Sequence, residues 1–244
     1  MIRLFALFFL VAWPLRAETA LIAVATNFRP AAEALAEAYS SETGHDIRLS
    51  AGATGKLAAQ ISAGAPYDAF LSADAETAVW LEAAGLAVPD SRFTYAVGHL
   101  ILWSRNPDAD FTNLSAYFAG IRHLAVANPN LAPYGKSAME VLENMSLIEA
   151  IEGKIVQGEN IGQVFAMVYG GAAEAGFIAA SAQFPTALPG AAWTVPDALH
   201  SPIRQDAVLV LRGQSNDAAT GFLDYLRSTQ GRHLIEAFGY GTAP

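Results

Sequence analysis

The residues best suited to chemistry in this chain are hydroxyls, amides and glycines, gathered in four short segments. Thr26-Asn27 follows the apolar run ALIAVA at 20–25, and Thr54-Gly55 ends the segment AGATG after DIRLS at 46–50. NPNLAPYG, which carries Tyr134, follows LAVA at 124–127, and GENIG, which carries Asn160 and Ile161, follows KIVQ at 154–157. A stretch with helical spacing comes after each. All four are therefore strand-to-helix junctions, which in an open α/β sheet lie at the carboxyl ends of the strands, where ligands bind. A helix N-terminus presents N–H groups with no intrahelical partner and a partial positive charge, so the chemistry indicated is capture of an anion. Any one segment alone reads equally well as an ordinary N-cap, because Thr and Asn are common there. Four in one chain, with nothing competing, make the case for a site.

Other constellations are weak. The chain has no Cys, which removes disulfides, thiolate-held metals, iron–sulfur clusters and a thiol nucleophile. His45, His99, His123, His200 and His233 are scattered, with no HExxH-like pair, so no bare metal cation is expected. Gly52-Ala-Thr-Gly55-Lys56 lacks the glycine spacing of a phosphate loop, and Leu57 stands where a magnesium-binding hydroxyl belongs. Neither GxSxG nor GxGxxG occurs. Asp68, Asp74, Glu159 and Asp206 read as solvated faces or strand ends, and Lys56 as a solvated side chain in a first helical turn. The expectation is a chain that is not an enzyme and uses no cofactor.

Positioning four junctions takes a repeated alternation of strand and helix. Strands are expected at 20–25, 46–50, 69–72, 95–103, 124–127, 154–157, 176–179 and 207–211. Helices are expected at 30–40, 55–63, 75–84, 136–144, 162–169, 217–225 and 230–238, with loops filling 184–201. Strands alternating with helices of this length form βαβ units and a mostly parallel sheet. The 244 residues allow one large domain or two of ordinary size. With 53% hydrophobic and 15% charged residues the chain is not disordered, and a net charge of −9 argues against nucleic acid as a partner.

Residues 1–17, MIRLFALFFLVAWPLRA, have one early charge, a ten-residue apolar run and a small residue at the end. They read as a secretory signal cut near Ala17, since the run is too short to span a bilayer. Cutting there removes Arg3 and Arg16 and leaves 12 basic against 23 acidic residues, a net −11. Without a Cys to acylate, a free periplasmic protein is expected rather than a tethered one.

The segments AVATNF, SAGATGKLAAQI, GAPYDAFLSAD, FTYAVGHLILWS, NPNLAPYG and GENIGQ, with the tail at Phe238-Gly239-Tyr240, together resemble the periplasmic molybdate-binding proteins of molybdate ABC importers. The similarity spans nearly the whole mature chain. It implies an α/β fold of two lobes, each a mixed, mostly parallel sheet flanked by helices, crossed twice by the chain near 95–100 and 203–207. The lobes are then 20–98 plus 205–244, and 99–204. The resemblance further implies a monomer that closes on one molybdate or tungstate ion without metal or cofactor, and that delivers it to a membrane permease and its ATPase. Its donors fall on Thr26, Asn27, Thr54, Tyr134 and, through the backbone N–H, Ile161. The commoner branch of the family has paired serines at Thr26-Asn27, and a tyrosine where Ala179 stands. The hydroxyl of Tyr134 is the expected replacement for that tyrosine. Another tetrahedral oxyanion, sulfate, thiosulfate or phosphate, is the alternative ligand. The same two-lobed fold also hosts porphobilinogen deaminase, but that enzyme holds its cofactor on a Cys.

Overall fold

A computed structural model describes residues 17–184 and 186–241, so nearly all of the expected export signal lies outside the described residues. Two five-stranded sheets carry the fold, in the orders β2-β1-β3-β10-β4 and β7-β6-β8-β5-β9. In the first, β1 (Thr19–Ala25) lies parallel to β2 (Asp46–Gly52) and to β3 (Ala69–Leu71), while β10 (Ile203–Leu209) runs antiparallel between β3 and β4 (Phe93–Gly98). In the second, β6 (Leu124–Ala127) lies parallel to β7 (Ile155–Gly158) and β8 (Ala175–Ala179). There β5 (Leu100–Ser104) runs antiparallel to both β8 and β9 (Ala191–Thr194).

Register brings the junctions together in pairs. Ala25 is opposite Gly52, so the chain leaves β1 and β2 side by side into α1 (Arg29–Thr43) and α2 (Thr54–Ser62). Ala127 is likewise opposite Gly158, so β6 and β7 lead together into α5 (Pro133–Asn144) and α6 (Ile161–Tyr169). Proline serves both α1 and α5 in the first turn, where its missing N–H costs nothing. Asn160 caps α6 by accepting from the Gln163 N–H.

The apolar side chains sort onto these sheets. Trp103, Phe118 and Phe177 fill the core of the second sheet. Phe28, Leu35 and Phe222 cover one face of the first, and Phe70, Leu81 and Leu57 the other. The C-terminal helices α7 (Asp217–Arg227) and α8 (Thr229–Ala237) return to pack on α1.

Several sequence expectations need correction. The single strand expected at 95–103 is two strands, β4 and β5, interrupted at His99 and belonging to different sheets. Gly98-His99 interrupts the apolar run at this point, but one Gly-His pair is too short a break to end a strand by composition alone. The stretch 184–201, expected to be loop, contains the edge strand β9, whose four residues are too few to show a period. A short helix, α4 (Leu114–Gly120), was not anticipated. Strand β10 begins at Ile203, four residues before the expected start, because it must reach Gly98 on β4. Asp68 and Asp206 are not solvated. They are 4% and 0% exposed, the first paired with Arg212 and the second with Arg92 at 2.7 Å.

Gly135, in the first turn of α5, lies hard against the end of β6. A Cβ there would sit 2.2 Å from the Ala127 carbonyl oxygen. Gly135→Ala should therefore force α5 off the strand and cost about 1–3 kcal/mol, with about 2–4 °C of Tm lost per kcal/mol. An unchanged melting temperature would show that the helix start is not held this closely.

Candidate functional site

All five residues singled out in the sequence meet in one place. Thr26, Asn27, Thr54, Tyr134 and Ile161 line a single cleft between the two sheets, completed by Ala25, Gly52, Ala53, Ala73, Ala132, Pro133 and Asn160. The cleft is narrow: the atom-free space in it and at its open mouth together is about 190 Å³. No carboxylate, Lys, Arg or His is among its lining residues.

Its donors come from helix starts. Ala53 before α2 and Ala132 before α5 have no side chain to cap the helix, so the N–H groups of Thr54 and Tyr134 have no capping acceptor. Ile161 opens α6, and the N–H of a first helical residue has no intrahelical acceptor. Thr54 is 2% exposed, and its Oγ1 accepts the Ala73 N–H at 3.2 Å, which leaves the hydroxyl proton free to donate elsewhere. Alanine and glycine make up most of the rest of the wall, small enough for backbone dipoles to face the cavity.

The side chains of Asn27 and Tyr134 are engaged beneath the cleft. Asn27 Nδ2 donates to Gln205 Oε1 at 2.8 Å and to the Tyr240 hydroxyl at 3.2 Å, and the Tyr240 hydroxyl donates to the Asn27 carbonyl at 2.7 Å. Tyr134 accepts at its hydroxyl from Gln205 Nε2 at 3.2 Å. A Cβ on Gly98 would lie 2.1 Å from that same oxygen. The hydroxyl of Tyr134 is therefore pressed against β4 and β10. What this residue offers from the first turn of α5 is its backbone N–H. Ala179 lines a neighbouring, largely apolar cavity with Phe165, Ile178 and Phe184.

Sequence reasoning missed Gln205, Tyr95 and Ser181, and placed Tyr240 only within the tail. The sequence offered little signal, since Gln205 sits between Arg204 and Asp206, ahead of the apolar run expected to form the strand. A bulge at Gln205/Asp206 lets these adjacent side chains serve separate buried networks. Lys56 and Glu159, expected to be solvated separately, pair with each other at 2.5 Å across the cleft mouth. The Gly55 N–H donates to the Leu131 carbonyl at 3.0 Å beside them, so the two sheets' loops touch and the cleft is closed.

Burial pushes the hydroxyls of Tyr95, Tyr134 and Tyr240 well above the ordinary tyrosine value, so all three stay neutral and keep their protons. Among the described residues no group of three His, Asp or Glu side chains could hold a metal ion.

The family model for bacterial extracellular solute-binding proteins matches residues 20–241. The molybdate-binding protein ModA of Azotobacter vinelandii is 41% identical over 235 residues, covering 95% of this chain and 93% of that one. Its counterpart in Rhodobacter capsulatus is 38% identical, covering 95% and 92%. The solved periplasmic molybdate-binding protein of Azotobacter vinelandii superposes with a TM-score of 0.87 at 35% identity, covering 92% of this chain and all of that one.

The buried tyrosines fix the alkaline limit of the fold. Their folded-state values lie above the unfolded value near 10, so their contribution is complete below about pH 10 and is lost as pH rises towards the folded values. In an alkaline titration, tyrosinate absorbance from these three of the eight tyrosines should rise only together with loss of circular dichroism. Ionisation of all eight with the fold intact would contradict their burial.

Proposed function

The chain belongs to the family of bacterial extracellular solute-binding proteins, and we propose that it captures molybdate, and with it tungstate, between two closing lobes. The observation that carries this is the lining of the cleft. Helix N-termini from both sheets converge on a small cavity from which carboxylates and cationic side chains are absent. A fully deprotonated tetrahedral dianion has only acceptor oxygens, so a wall of neutral donors satisfies it, and hydrogen bonds to an ionised acceptor are the strong kind. A protonated phosphate would need an acceptor from the protein, and no carboxylate lines the cavity to supply one. The relatives bearing the molybdate-binding name match almost end to end, which supports the same ligand here.

In this reading Thr26 and Thr54 donate hydroxyl protons, while Asn27, Tyr134 and Ile161 donate backbone N–H groups. The lobes are residues 20–98 with 205–244, and 99–204. The sheet order supports this division, because β4 and β10 belong to one sheet and β5 to the other. Each lobe holds part of the donor set, so the ion binds the closed form better and shifts the population towards it. The chain acts without catalysis or metal, as an exported periplasmic monomer, and delivers its ion to a membrane permease and ATPase. Among the described residues no helix is long and apolar enough to cross a membrane.

Thr26→Val and Thr54→Val should each weaken molybdate binding by about 1.5–3 kcal/mol, the worth of a hydrogen bond to a charged group. Calorimetry on the chelator-treated protein checks this. Affinity unchanged in both variants would remove these residues from the site. Stoichiometric displacement of molybdate by excess sulfate would reassign the ligand.

A further inference from the structure

Beneath the proposed anion site lies a buried amide that does not line the cleft, and its partners come from both proposed lobes. Gln205 sits on β10 and is 0% exposed. Its Oε1 accepts from Asn27 Nδ2 at 2.8 Å and lies 3.1 Å from the Tyr95 hydroxyl. Its Nε2 donates to the Tyr134 hydroxyl at 3.2 Å. We infer that Gln205 is a positioning residue, which holds Asn27 of the first junction and Tyr134 of α5 at once and so fixes the distance between the donors of the two lobes. The inference rests on the oxyanion reading above.

Three observations carry it. A strand position this deep would be filled at lower cost by an apolar side chain, since a buried amide must have its hydrogen bonds made. The need for an amide is therefore local, and its partners identify it: one group requires an acceptor and the other offers one. Secondly, Tyr134 faces two ways. Its backbone N–H belongs to the uncapped first turn of α5, while its hydroxyl reaches down to β10. Pinning the hydroxyl fixes the helix start that presents the N–H. Thirdly, room for the pair depends on Gly98, where a Cβ would lie 2.1 Å from the tyrosine oxygen and 2.7 Å from Gln205 Nε2. Gly98 ends β4, the last strand before the chain passes to the other sheet. The latch thus sits where the chain crosses between lobes. Tyr240 and Ser181 extend it on the other side, 2.9 Å apart and both within reach of the Asn27 carbonyl.

The role is tested by a double-mutant cycle on the full mature chain, titrated with molybdate. Gln205→Met keeps the volume and loses the amide, Tyr134→Phe keeps the backbone N–H and loses the hydroxyl, and the double variant loses both. Each single variant should bind about tenfold more weakly, the equivalent of about 1.4 kcal/mol, chiefly through faster release. The double variant should bind no more weakly than the weaker single one, because the two share one interaction. Combined with Thr54→Val, by contrast, Gln205→Met should give multiplied effects. Should Gln205→Met not fold, Gln205→Asn takes its place in the cycle, retaining an amide too short to span both partners. Affinity within twofold of the unaltered chain, or multiplied losses in the Gln205–Tyr134 cycle, would overturn the role and leave only a packing residue. If the unaltered chain binds no tetrahedral oxyanion, the function itself is overturned and this role with it, so the two failures are distinguishable.

Discussion

The fold is governed by the need to present hydrogen-bond donors that are fixed in direction and carry no formal charge. A dianion leaving water gives up a strong hydration shell, and flexible side chains would have to be ordered to replace it. Backbone N–H groups at helix starts are ordered already, because the helix holds them. That requirement explains the wall of Gly52, Ala53, Ala73 and Ala132, small enough for backbone to approach the guest. It explains equally the matched registers of β1 with β2 and of β6 with β7, which bring helix starts together in pairs. Each sheet makes the same device once, and the cleft is where the two face each other.

Electrostatics at longer range runs against the guest, since a mature chain cut near Ala17 would carry a net −11. The structure limits that penalty near the cleft. Glu159 is neutralised by Lys56 at 2.5 Å, and Glu76 by Lys136 at 3.3 Å, both pairs bridging the two sheets. These pairs are partly exposed, so each adds little stability of its own. Their effect is to keep uncompensated carboxylates away from the mouth. Acidic groups farther off are screened beyond roughly 10 Å.

The sequence made the junctions legible because their signal is local: an apolar run, a small polar segment, then helical spacing. The four junctions could be singled out for that reason, the family resemblance picked Thr26, Asn27, Thr54, Tyr134 and Ile161 within them, and the structure brings all five to one cleft. What lay beneath them was not legible. Gln205 meets Asn27 across 178 residues and Tyr134 across 71. No spacing rule reaches that far, and a Gln between Arg204 and Asp206 does not name its partners. The resemblance placed a crossing near 95–100, but the apolar pattern alone merged the two strands that meet at His99. Phe93–Gly98 and Leu100–Ser104 are both apolar enough to be buried strands, and only their partners show that they belong to different sheets. Tyr134 was placed correctly at the cleft, while its hydroxyl turned out to be engaged by β10. Sequence locates a residue more readily than it tells which of its groups faces the guest.

On the proposed reading, closure depends on what the contacts between the lobes add to the bonds the ion supplies. The contacts across the mouth are one backbone hydrogen bond at Gly55–Leu131 and the two exposed ion pairs. Below them lie the bonds of Tyr134 with Gln205 and of Ser181 with Asn27 and Tyr240. Most of these groups can bond to water when the cleft is open, so their net advantage in the closed form is modest. On the proposed reading, an ion that bonds to Thr26 and Thr54 on one side and to the α5 and α6 starts on the other would add several charge-assisted bonds available only when both sides meet. The closed state is therefore the one the ion selects, with affinity set by the difference between those bonds and the hydration they replace. A closed form that held itself together more firmly would bind tightly but release its cargo poorly. On the proposed reading, polar contacts of this kind, beside apolar ones such as Ala25 and Ala73 against the core of the second sheet, suit a carrier that must give its ion up.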